Sequence, residues 1–137
     1  MRATGAVNVV GLLLFAAIGT AIWLLVLFTP AYLDNLDVSE AVRGAFAEAN
    51  RVPDSASIRR IQEAGLRIGT HVENDTFGNE VVRPGLRWTD DQITITRDEV
   101  RHYVEVRLDY DRDVLLWPLN KVHRLHFVNK KEGLLSQ

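Results

Sequence analysis

The residues best equipped for chemistry are four histidines and a row of aspartates. His123 and His126 stand three apart, which on a strand puts them on opposite faces and prevents them from holding one metal together. His102 lies on the neighbouring predicted strand and could approach one of them, while His71 is in a turn-rich stretch; solvated or singly bonded imidazoles are expected. Asp109, Asp111 and Asp113 have the spacing that opens a calcium loop, yet Val114 stands where the glycine belongs and no glutamate follows at the twelfth position. They read instead as the polar face of a strand. Ser55, Ser57 and Ser136 lack a glycine-flanked elbow, and no glycine-rich phosphate loop is present. The chain has no cysteine, which excludes disulfides, thiolate chemistry and Cys-based metal sites. No catalytic residue, cofactor, metal or small-molecule substrate is therefore assigned, and the expectation is a protein that is not an enzyme. A net charge of −2 without a polybasic patch gives no reason to expect nucleic acid or anionic lipid as a partner.

The chain is organised instead around Val7–Phe28, VNVVGLLLFAAIGTAIWLLVLF, which has no charge and only Asn8 and Thr20 as strongly polar side chains. At about 1.5 Å per residue it makes a helix of roughly 33 Å, against a hydrocarbon core of about 30 Å. A cleaved secretory signal would be shorter, and Leu27-Phe28-Thr29-Pro30-Ala31-Tyr32 is a poor cleavage site. The expectation is a retained transmembrane helix, residues 7–28, behind a short stub, residues 1–6. Arg2 precedes the span, whereas Asp34, Asp37 and Glu40 follow it before Arg43. That asymmetry places the N-terminus in the cytoplasm and the rest across the membrane. Gly11, Ala16, Gly19 and Thr20 are small, and the Ala16–Thr20 and Ala17–Ala21 spacing lets another helix approach closely. These four are the candidates for helix–helix contact in the membrane.

Beyond Pro30, apolar residues recur at helical spacing through Leu33, Leu36, Val38, Val42, Ala45, Phe46 and Ala49. Residues 29–50 are expected to continue the helix past a kink, or to restart it with Asp37 or Ser39 as cap. Arg51 to Asp54 is a turn, and Asp54 or Ser55 can cap a second helix around Ser57 to Ala64. Residues 69–91 are the least regular piece, with Asn74-Asp75, Gly78-Asn79 and Pro84-Gly85 as turn formers. They form short strands or a lid. Then the period changes to two: Ile93 and Ile95, then Val104, Val106, Leu108 and Tyr110 alternate with polar neighbours, joined through Arg97-Asp98-Glu99. A third strand runs from about Val122 to Val128, and Lys130 to Gln137 reads as a frayed tail. The fold class is α+β: a transmembrane helix extending into a small domain, residues 51–137, of two helices packed on a three-stranded or slightly larger antiparallel sheet. Val114-Leu115-Leu116-Trp117-Pro118-Leu119 is unusually apolar for a connection. Either Trp117 folds back onto the core, or the cluster is exposed to a partner or the membrane surface. Trp88, Leu116 and Trp117 are the candidate partner contacts.

Gly5 to Leu13 followed by Thr29-Pro30-Ala31-Tyr32 resembles a domain-of-unknown-function family of small bacterial envelope proteins with a pilin-like start. So do Ser57-Ile58-Arg59-Arg60-Ile61, the strand from Tyr103 to Asp113, Leu116-Trp117 and Leu125-His126-Phe127. The resemblance covers most of the chain outside residues 69–91, which it marks as an insertion. It implies a single span in the bacterial inner membrane with a periplasmic α+β domain, and it carries over no activity. A type IV prepilin has a glycine before the cut and a glutamate at the fifth mature position. Gly5 matches the first requirement, but Val10 stands in place of the glutamate. The leading expectation is a non-catalytic, single-pass accessory subunit that braces other membrane-protein subunits. A pseudopilin-like filament or secretion component and a membrane-tethered ligand-binding domain are the alternatives.

Overall fold

The structure is a computed structural model that describes residues 8–135. The stub, with Arg2 and Gly5, lies outside the described residues. The chain is α+β, in the order α1 (Val9–Glu48), α2 (Asp54–Gly65), β1 (Thr70–Asn74), β2 (Glu80–Pro84), β3 (Ile93–Asp98), β4 (Tyr103–Leu116) and β5 (Lys121–Leu134). A short 3-10 turn, Asp90–Gln92, leads into β3.

Helix α1 is one uninterrupted helix of 40 residues with Pro30 inside it. Pro30 has no amide hydrogen for the carbonyl of Val26, yet the helix neither stops nor restarts. Asn8 caps its start, its Oδ1 accepting from the Gly11 amide at 3.4 Å. The first half of α1 has a mean hydropathy of 2.6 over its most apolar window, none of it buried, and is long and apolar enough to cross a membrane. In the second half Ala31, Val38, Val42 and Ala45 turn inward at helical spacing. One rod thus carries two kinds of surface.

The inward stripe packs on an antiparallel sheet of order β3-β4-β5. On β4, Val104, Val106, Leu108 and Tyr110 are buried and their neighbours are not, the alternation a half-buried strand requires. Ile61 of α2 and Leu86, Trp88, Ile93 and Phe127 complete the core. Strands β4 and β5 pair along their full 14-residue lengths, from Tyr103↔Leu134 to Leu116↔Lys121. The hairpin they form is much longer than the core needs.

Several expectations change. Residues 130–134 belong to β5 and are no frayed tail, because β4 offers partners as far as Tyr103. Of the two readings of residues 69–91, the short strands are what forms, paired as a hairpin of β1 and β2 with Thr70↔Pro84 at its base. Residues 69–91 also supply Leu86 and Trp88 to the core, so the segment is part of the fold. Helix α2 begins at Asp54 behind Pro53, with no side-chain cap. The Asp54 carboxylate is taken instead by Arg97, whose Nη2 donates to it at 2.5 Å. The same Nη2 donates to the carbonyl of Ala49 at 2.8 Å, joining the end of α1, the start of α2 and strand β3.

Candidate functional site

The joint between α1 and the sheet is polar at its centre. Asp34 and Asn35 sit on consecutive positions of α1, a little beyond the apolar half. Arg112 Nη2 donates to Asp34 Oδ2 at 3.0 Å and to Thr70 Oγ1 at 3.3 Å. Asn35 Oδ1 accepts from the Tyr110 hydroxyl at 3.0 Å and from Asn129 Nδ2 at 2.8 Å. Arg112 is only 6 % exposed, and a buried cation of this kind is held by its partners. Burial pushes the Tyr110 hydroxyl up to about 12 from its ordinary 10.0. Sequence reasoning missed this seam. The signal was present, since Arg112 continues the even-numbered buried phase of β4 and Asn129 the buried phase of β5.

The candidate contact residues of the span are all exposed. Gly19 is open, with nothing within 4 Å of a side chain built there. Thr20 donates its hydroxyl to the carbonyl of Ala16 at 2.8 Å, which satisfies the polar group inside the helix. At 3.6 residues per turn Ala16, Gly19 and Thr20 share one face, and Gly11 lies beyond its edge on the Gly19 side, about 80° around the helix from Gly19. Trp23 continues the Ala16–Thr20 face towards the globular part, where its Nε1 donates to the carbonyl of Trp117 at 2.8 Å.

Trp117 lies in the four-residue connection between β4 and β5, whose Trp117–Pro118 bond is cis. Trp117 is 69 % exposed and Leu119 is 59 % exposed, while Leu116 is half-buried. Val114 is buried, but Trp117 does not fold back onto the core: the strands extend past the core's edge and carry the apolar tip with them. Trp88, by contrast, is 8 % exposed and packs at 5.5 Å from the Tyr110 ring. Its side chain is a core element, which corrects its expected place among surface partner contacts.

The histidines are dispersed. His71 Nδ1 lies 2.6 Å from the carbonyl of Gly85, His126 Nδ1 lies 2.7 Å from Asp111, and His123 packs edge-on against Phe28 at 5.7 Å. Among the described residues no group of three or more His, Asp or Glu is placed to hold a metal ion. A hollow of about 530 Å³ lies along α2 between Ser55 and Glu63, but Arg59 pairs with Glu63 and Arg60 with Glu48. Another of about 450 Å³ lies between the two hairpins, where Arg124 pairs with Asp113 at 2.9 Å and Glu73 with Arg83 at 3.0 Å. His71 first, and Arg83 after it, hold the Glu73 carboxyl below its ordinary range, and the hydrogen bond to Asp113 raises Arg124. These charges are neutralised within the fold rather than directed at a ligand. What the arrangement offers is contact surface: a bare apolar rod and an apolar hairpin tip beside it.

Comparison with protein-family models gives no match to this chain, and neither do searches of curated proteins and of solved structures.

Proposed function

We propose that the chain is a non-catalytic, single-pass accessory subunit of a larger inner-membrane assembly, with its N-terminus in the cytoplasm and its globular part in the periplasm. The observation that carries the reading is the continuity of α1. Its apolar, unburied half passes without a break into the half that forms the core. A partner held at Ala16, Gly19 and Thr20 is then coupled rigidly to the domain, as a brace requires. The resemblance to small envelope proteins with a pilin-like start agrees with the same layout. Extraction in mild detergent followed by sizing tests it: a complex larger than the chain, containing other membrane proteins, is expected. A clean monomer with nothing co-purifying contradicts it.

A second reading, a pseudopilin-like filament or secretion component, is favoured by the division of α1 into a bare first half and a sheet-packed second half. Mass spectrometry of the mature N-terminus separates the two, because an N-methylated residue immediately after Gly5 belongs to the pseudopilin reading alone.

A further inference from the structure

The β4–β5 hairpin extends beyond the core and ends beside the apolar half of α1. Its tip, Leu116-Trp117-Pro118-Leu119, carries no charge. Trp117 and Leu119 are among the exposed large apolar residues, and Val122 adds to them at the foot of the tip. In a water-soluble domain such a cluster would be an unfavourable exposure of apolar surface.

Three contacts fix where the tip lies along the helix. Tyr32 packs edge-on against Phe127 at 5.4 Å, and Phe28 against His123 at 5.7 Å. Trp23 Nε1 donates to the carbonyl of Trp117 at 2.8 Å. Strand β5 and its turn therefore run alongside α1 from Tyr32 back to Trp23, deep into the uncharged run that ends at Phe28. Five helical residues separate Trp23 from Phe28, about 7.5 Å along the axis. The polar layer on each side of a bilayer is of similar thickness, roughly 5–8 Å. An outer boundary of the hydrocarbon anywhere between Trp23 and Phe28 places Trp117 and Leu119 among lipids.

We infer that the β4–β5 tip is a second membrane contact, with Trp117 and Leu119 seated in the lipid of the outer leaflet beside Trp23. The chemistry suits that place. Indole rings concentrate at the interface because they pair an apolar body with a polar N–H. Here the Trp23 N–H is occupied by the tip's own backbone, which satisfies a carbonyl that lipid could not. Lys121, the first residue of β5, has the reach to set its ammonium among phosphates while its stem lies along the apolar layer. With α1 alone in the lipid, the rod and the domain fixed to it could rotate and tilt together in the bilayer. With the tip seated as well, their orientation to the bilayer is set.

The inference rests on the membrane reading of α1, and the experiment separates the two. The chain has no cysteine, so single nitroxide labels go in without background. Leu119→Cys, Phe15→Cys and Val100→Cys are labelled in the full chain and reconstituted in phosphatidylcholine vesicles, and relaxation by oxygen is compared with relaxation by a water-soluble nickel chelate. Phe15 and Val100 are 82 % and 91 % exposed, at opposite ends of the molecule. The label at 119 should favour oxygen over nickel, at a depth between the label at 15 and the aqueous label at 100. A nickel-accessible label at 119, with the label at 15 still deep, overturns the inference and leaves the anchor standing. A label at 119 shielded from both reagents also overturns it, because protein then covers the tip. If the label at 15 is itself in water, the anchor reading fails and the inference fails with it.

Discussion

Arg112 determines how firmly the helix is joined to the sheet. Its guanidinium is buried and faces Asp34 across the interface. Removing one member of a buried pair leaves the other's charge uncompensated, which costs about 3–5 kcal/mol, whereas replacing both with apolar groups is often neutral. Because Asp34 is 24 % exposed, the lower end of that range applies. Arg112→Met should therefore lower stability by about 3 kcal/mol, and the double variant Asp34→Leu, Arg112→Met should recover most of it. Denaturant unfolding in detergent followed by near-UV circular dichroism checks this; equal losses in single and double variants would refute it. Tyr110 gives the joint a pH limit. Its folded pKa is raised to about 12 by burial, so folding favours the neutral phenol. The stability this contributes is complete below the ordinary value of 10.0 and is lost as pH rises from there to about 12. Tyr103, raised to about 12 by its hydrogen bond to Glu132, acts in the same window. Tyr110→Phe should make the alkaline decline in stability shallower, measured as the unfolding midpoint between pH 10 and 12.

At the scale of elements, the β1–β2 hairpin is tied to the rest by two glycines. Gly85 has φ +87°, its amide donates to the carbonyl of Gly69 at 2.8 Å, and a Cβ there would lie 2.6 Å from the carbonyl oxygen of Leu66. Gly78, at the hairpin's own turn, has φ +81° but open space around it. Both substitutions by alanine meet the cost of a left-handed backbone, about 1 kcal/mol or more, and only Gly85→Ala adds a clash with rigid backbone. Gly85→Ala should therefore lower the thermal midpoint clearly more than Gly78→Ala. What could be read beforehand follows the same physics. Period-two apolar alternation marked β3 and the first half of β4, and helical spacing marked α1 as far as Ala49. The second half of β4 was obscured because Arg112 stands in the buried phase and looks polar until Asp34 is seen opposite. Short strands were one of the two readings of residues 69–91, and their pairing as β1–β2 was obscured because they are brief and turn formers surround them. In β5 Leu125, Phe127 and Asn129 alternate with exposed neighbours, so the sequence marked the middle of the strand and only pairing with β4 defines its ends. Of the candidate contacts, Trp88 could not be told from Trp117, since one indole in an irregular stretch looks like another until burial is known.

The molecule as a whole is a rod with a small α+β body fixed to one half and a bare apolar surface on the other. The body is held to the rod by the Asp34–Asn35 seam, the Val38–Ala45 stripe and the Trp23–Trp117 bond, so a force on one half is transmitted to the other. If the small face recruits a partner helix, Gly19→Leu should abolish co-purification of the partner while leaving membrane retention and the thermal midpoint of the body unchanged, because nothing in the fold touches that position. Loss of retention together with the partner would assign the face to insertion instead. The account as a whole depends on the first half of α1 lying in lipid, and alkaline carbonate washing of membranes tests that most directly. The chain is expected to stay in the membrane pellet with integral proteins; its recovery in the soluble wash would contradict the account.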